Sequence, residues 1–274
     1  TNKLIMKAKK VLFITSEMFP FIEEGYRATM GRKLPQSIQE CGHEIRTFTP
    51  KWGNINERRN QLHEVIRLSG MNLIINETDH PLIIKVASIP SAKMQIYFID
   101  NDDYFMKRGT LADKEGKEYE DNAERAIFFA RGVLETVHKL RWMPDIIHCH
   151  GWAAAFAPMF LKLAYKEEPS YANSKVVVSV LPKEFELDLG TEAPKSVEWK
   201  DVHYSDIEEH CAKGFTHTDL MKVATKYADG VILEGDDTDP AVEEYAKSIG
   251  LPVLRSTGDD FKDKYSEFYE SLMD

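Results

Sequence analysis

Lys9-Lys10-Val11-Leu12-Phe13-Ile14-Thr15-Ser16-Glu17-Met18-Phe19-Pro20-Phe21, followed by a loop around Gly25, decides the fold. Val11 to Ile14 is apolar without alternation and breaks into a polar turn, the pattern of a strand buried on both faces in a parallel sheet. Met30, Leu34, Ile38 and Cys41 then recur at helical spacing, predicting a helix over Thr29–Cys41. Pro35 falls near its first turns on this reading, and Gly42 ends it. His43 to Pro50 alternates as a second strand. Strand, loop, helix and strand make a βαβ unit. In such sheets ligands meet the carboxyl ends of the strands, which points to the loop from Ser16 to Tyr26.

Working outward, Lys51–Pro81 is more polar, and the 51–95 region reads as a β-rich, antiparallel insertion. Ile96–Ile99, Ile146–Cys149, Val176–Val180 and Val231–Leu233 join Val11–Ile14 and Ile45–Phe48 as main strands. The whole, residues 1–274, reads as one α/β domain: a Rossmann-like, doubly wound, mostly parallel sheet with an antiparallel excursion. Asp100, Asp102 and Asp103 resemble a metal loop but lack the glycine and distal Glu of a calcium site, so a solvated loop is expected. Asp121 and Glu124 have the spacing of a capping box before an apolar helix. Ala153–Tyr165 reads as a helix containing Pro158, and Glu184–Tyr204 as a surface excursion. Residues 255–274 read as a C-terminal helix, with Phe261, Tyr265, Phe268, Tyr269 and Leu272 on its apolar side.

A formal charge of −10, with cations scattered, argues against nucleic acid or an anionic membrane as partner. Cys41, Cys149 and Cys211 share no close spacing, so neither a disulfide framework nor a zinc site is expected. The segment Thr1–Lys10 is basic without an apolar core, which predicts no secretory signal and a cytoplasmic protein. The absence of G-x-G-x-x-G and P-loop motifs argues against an ordinary nucleotide-binding domain.

Several motifs resemble bacterial glycogen and plant starch synthases. Ser16-Glu17, Pro20-Phe21 and Leu34-Pro35 follow their S-E-x-x-P-F-x-K-T-G-G-L-G-D start without a gap. Asp121-Asn122-Ala123-Glu124-Arg125 matches their D-N-x-x-R, Asp145 to Trp152 their D-x-x-H-x-H-D-W, and Leu220 to Val231 a further helix and strand. The resemblance implies the N-terminal, acceptor-side half of a GT-B glycosyltransferase acting from ADP-glucose on α-1,4-glucan, with the nucleotide-binding half absent. The residues give no metal-ligand spacing, and no cofactor or metal is expected. The resemblance places His150, the vestigial catalytic candidate, against the transferred glucose; the residues expected to bind substrate are Gly25, Tyr26, Arg27, Asp121, Asn122, His150 and Trp152.

The content departs from the pattern at the donor. Glu23-Glu24-Gly25-Tyr26-Arg27 stands where the family has K-T-G-G-L, Thr29 replaces an Asp, and Gly151 replaces another. A carboxylate at the lysine position repels a diphosphate, and Arg27 is the substitute cation to consider. His148 and His150 read as facing opposite ways, one into the core and one to the site; His150 is either a retained sugar contact or a structural histidine. Two readings follow. One is a synthase-type glucosyltransferase that borrows a separate protein for its C-terminal half or retains a weak activity; the other is a non-catalytic glucan-binding or regulatory module, to which ADP-glucose is a poor ligand.

Overall fold

The computed structural model describes residues 7–256 and 261–274. Its strands are β1 (Lys10–Thr15), β2 (Glu44–Pro50), β3 (His63–Glu64), β4 (Asn72–Ile75), β5 (Thr78–Pro81), β6 (Ile83–Ile89), β7 (Met94–Asp100), β8 (Ile146–His150), β9 (Lys175–Val180), β10 (Gly230–Glu234) and β11 (Val253–Ser256). Its helices are α1 (Tyr26–Glu40), α2 (Asp102–Phe105), α3 (Asn122–Lys139), α4 (Ala157–Ala164), α5 (Glu208–Cys211), α6 (His217–Lys226), α7 (Pro240–Ser248) and α8 (Phe261–Met273).

Nine strands form one sheet in the order β11-β10-β9-β8-β1-β2-β7-β6-β3. Pairing is parallel from β11 to β7 and antiparallel at β6 and β3. All six strands predicted as main strands lie in it. β4 and β5 form a separate antiparallel hairpin, as the 51–95 insertion suggests. Val11, Leu12, Phe13 and Ile14 are at most 1% exposed, which is why their run carries no alternation. One face of the sheet packs on α3 and α4; the other buries Phe261, Tyr265, Phe268 and Tyr269 of α8 against Val11, Phe13, Leu34 and Ile146.

The chain leaves β1 through β2 and β7 on one side and returns through α3 to β8 on the other. The strand order therefore reverses between β1 and β8, and their carboxyl ends frame the crevice.

Several local readings are corrected. α1 starts at Tyr26, with Gly25 extended before it and no side-chain cap, so Pro35 sits well inside the helix. Asp121 makes no capping bond; it pairs with Arg108, while Glu124 accepts from the Tyr104 hydroxyl at 3.1 Å. Asp100 to Asp103 is no solvated loop: Asn101 caps α2, and Asp100 lies 2.7 Å from Lys85. A 3₁₀ turn over Trp152–Ala154 precedes α4, whose first turn takes Pro158, so one long helix does not form. Within the expected surface excursion Glu184, Phe185, Val197 and Val202 are buried. Of the two terminal readings, residues 1–6 and 257–260 lie outside the described residues.

Candidate functional site

The two carboxyl-end loops are tied by their backbones. The Ser16 amide donates to the His150 carbonyl at 3.0 Å, and the Ser16 hydroxyl accepts from the Ala153 amide at 2.9 Å. Trp52 Nε1 donates to the Ser16 carbonyl at 2.7 Å from the β2 side. Gly151, at φ +88°, makes the turn; a Cβ there would lie 2.4 Å from Ser16 Oγ. The position therefore requires glycine on both conformational and steric grounds. Gly31 of α1 crosses the same loop so closely that a Cβ would lie 1.9 Å from the Glu17 carbonyl oxygen.

His150 is 2% exposed, and its Nε2 lies 3.0 and 3.1 Å from the two carboxylate oxygens of Glu234. Glu234 ends β10 and is 1% exposed. Tyr26 donates to it at 3.1 Å, and the Tyr265 hydroxyl of α8 stands 3.4 Å away. Burial works against both charges, but each outweighs that for the other: the Glu234 carboxylate raises the His150 pKa, and His150 lowers that of Glu234. Each group thus favours the charged form of the other. His148 is the opposite case. Burial, then the neighbouring His150, lowers it to about 3, and it stays neutral between Tyr269 and Ser179, the latter at 2.6 Å.

The two histidines do not face opposite ways. Side chains two apart on a strand share a face, and the ring centroids of His148 and His150 are 6.5 Å apart.

A second buried pair flanks the first. Glu184 accepts from the Trp152 amide at 3.1 Å and lies 2.9 Å from His217 Nε2. Glu17 is held by Arg27 at 3.1 Å, yet burial still raises its carboxyl above the ordinary range. Arg27 thus turns inward to a carboxylate of its own loop.

The remaining expected contacts are mostly internal. Trp152 is 1% exposed and stacks on Trp52 at 5.8 Å, its indole N–H without a hydrogen-bond partner among the described residues. Asn122 is buried and donates to the Leu111 carbonyl at 3.0 Å. Arg125 anchors the preceding loop through the carbonyls of Tyr104, Gly109 and Thr110, with its guanidinium 4.8 Å over Trp52. Gly25 and Tyr26 reach solvent, and Arg27 is half-buried. The structure brings Tyr26, Arg27, His150 and Trp152 around one centre and leaves Asp121 and Asn122 on the Arg108 side.

Reading the sequence missed Glu17, Glu184, His217, Glu234 and Tyr265. A signal existed for Glu234: it is an acid closing an apolar run, at the carboxyl end of a parallel strand.

The family model for the starch synthase catalytic domain matches residues 10–234. The chain belongs to this family. Among starch-synthase-type relatives, it is 36% identical over 240 residues to a glycogen synthase from Chlorobium limicola, covering 84% of this chain and 48% of that protein. With a glycogen synthase from Chlorobaculum parvum it shares 34% over 261 residues, covering 92% and 49%. The chain thus spans about half the length of these curated relatives. The catalytic domain of Starch Synthase IV from Arabidopsis thaliana, solved bound to ADP and acarbose, superposes with a TM-score of 0.73 at 16% identity. That match covers 94% of this chain and 53% of the plant chain, and shows a shared fold. Among the described residues no helix is long and apolar enough to cross a membrane.

Proposed function

We propose that this chain is an acceptor-side, starch-synthase-type module of α-glucan metabolism that does not by itself transfer glucose from ADP-glucose. One observation carries the reading: His150, where the resemblance puts the contact with the transferred sugar, is buried and gripped through Nε2 by both oxygens of Glu234. A side chain must reach its substrate to act on it, and this one is engaged inside the protein. The donor side supports the same conclusion. Glu23 and Glu24 line the cleft at the mouth, where a diphosphate would meet like charge. Arg27, the candidate replacement cation, is paired with Glu17. Transfer from a nucleotide sugar depends on stabilising the leaving diphosphate, and this mouth opposes it. Of the two ligands in the plant enzyme's structure, a saccharide suits the exposed Gly25–Tyr26 rim better than ADP.

The test is incubation with labelled ADP-glucose and glycogen, alongside NMR titration with maltooligosaccharides and with ADP. No label should enter glycogen, and the saccharide should shift the Tyr26 resonances more than ADP does at equal concentration. Incorporation that disappears in His150→Ala would overturn the proposal. Indifference to saccharide would remove its glucan half.

A further inference from the structure

Between α1, the Pro20–Phe21 turn and β6 lies an open cleft of about 560 Å³ that shares no side chain with the His150 centre. In a chain of net charge −10, its lining holds no carboxylate; it holds Arg32, Arg59 and His63 instead. Arg59 is exposed, and its guanidinium makes no hydrogen bond or ion pair among the described residues. Arg32 gives one bond to Ser91 at 3.1 Å and stacks 5.8 Å over Phe19, leaving further donors open.

Two of the nearby acids are directed elsewhere. Glu57 is taken by Lys51 and Lys85, at 3.2 and 2.7 Å. Glu64 follows His63 on β3, so the strand turns it to the opposite face. Glu23 and Glu24 line an adjoining cleft that shares Pro20, Phe21, Arg59 and Asn60 with this one, and Glu24 also lines a further cleft with Arg32.

Guanidinium forks with open donors, in a lining that itself holds no carboxylate, make a receptor for phosphate oxygens. The rest of the lining selects what carries the phosphate. Asn60, Gln95 and Ser88 offer amide and hydroxyl groups suited to sugar hydroxyls. Phe21 gives a nucleotide base no face to stack on: it is 6% exposed and packs edge-on against Phe98 at 4.9 Å. The volume falls within the range of ordinary small-molecule sites. We propose that this cleft binds a phosphorylated sugar, with the phosphoryl group held by Arg59 and Arg32 beside His63, and the hydroxyls toward Asn60, Gln95 and Ser88. The proposal is independent of the glucan reading and of any turnover at the His150 centre.

Calorimetric titration with glucose 1-phosphate and glucose 6-phosphate, against glucose and inorganic phosphate, tests it. At least one sugar phosphate should bind, with glucose silent and inorganic phosphate at least tenfold weaker. Arg59→Gln should weaken the sugar phosphate tenfold or more, and Arg32→Gln should weaken it further, with the thermal midpoint of Arg59→Gln unchanged. No sugar phosphate binding, or binding indifferent to both substitutions, sinks the proposal. Inorganic phosphate equal to the sugar phosphates overturns it as well, since the cleft would then recognise no sugar.

Discussion

The loop from Ser16 to Arg27 has two sides, and they treat charge in opposite ways. On its inner side Glu17 is held by Arg27, and beside it lie His150 with Glu234 and His217 with Glu184. On its outer side Glu23, Glu24 and Arg59 stand in water without a partner among the described residues. The physical reason is the cost of burying charge: inside the protein an ion persists only where a counter-ion and hydrogen bonds compensate it. A crevice filled with satisfied pairs has little left to offer a ligand. Ligand-binding capacity is to be sought where charge remains unpaired and exposed, which is the Arg32–Arg59 cleft and the Tyr26 rim.

The sharpest way to break this contrast is to remove one charge on each side. Glu234→Ala leaves His150 buried beside an unfilled space, and losing one partner of a buried pair costs about 3–5 kcal/mol. Glu23→Gln on the outer side should change stability by less than about 0.5 kcal/mol. Urea denaturation of the two variants measures the difference, and equal effects would show the inner pair to be no more than a surface contact. Next in size is Gly151→Ala. The added Cβ meets Ser16 Oγ at a positive φ, and overpacking of this kind costs about 1–3 kcal/mol. The same measurement applies; an unchanged midpoint would mean that the Ser16–Ala153 tie is not needed.

How much of this was legible beforehand follows from which signals are local. Val11–Ile14, Ile146–Cys149 and Val176–Val180 announce themselves because both faces of a parallel strand are buried, and α8 does so through Phe261, Tyr265, Phe268 and Tyr269 at helical spacing. The crevice could be placed because strand order and carboxyl ends locate it. Its contents could not. His150 and Glu234 are 84 residues apart, and nothing near either one names the other. Asp121 and Glu124 have capping spacing, but the Arg108 guanidinium and the Tyr104 hydroxyl compete successfully for them. The pairing of His148 with Tyr269 likewise depends on α8 folding back across the sheet.

The two neighbouring histidines allow a test by pH. His148, lowered to about 3 from 6.5, is neutral when folded and protonates first in the unfolded chain, so its contribution to stability falls as pH drops below 6.5. His150 is raised from 6.5, so its contribution is full below that value and is lost as pH rises through its folded pKa. Glu234 is lowered from 4.5, so its contribution is present above 4.5 and is lost as pH falls through its folded pKa. The His150–Glu234 pair therefore contributes most between pH 4.5 and 6.5, where His148 pulls the other way. NMR of the imidazole carbons at pH 6 should show His150 protonated and His148 neutral. In Glu234→Gln the His150 pKa should fall. A neutral His150 at pH 6 in the unsubstituted protein would dissolve the ion pair, and with it the main support for a blocked sugar contact.

The smallest expected effect concerns Arg27, which sits between the two sides. Its side chain is 33% exposed, so the bond to Glu17 is partly screened and Arg27→Gln should cost less than about 1 kcal/mol. Removing the cation also removes an influence that lowers the Glu17 pKa, so that carboxyl should titrate higher in the variant. The informative readout is ADP affinity. If Arg27 belongs to Glu17, its loss leaves ADP as weak a ligand as before, since Glu23 and Glu24 still face the mouth. If ADP binds tightly to the unsubstituted chain and weakly to Arg27→Gln, the guanidinium must leave Glu17 to meet the diphosphate. The inner side would then open on demand, and the donor site would be a switched one instead of a lost one.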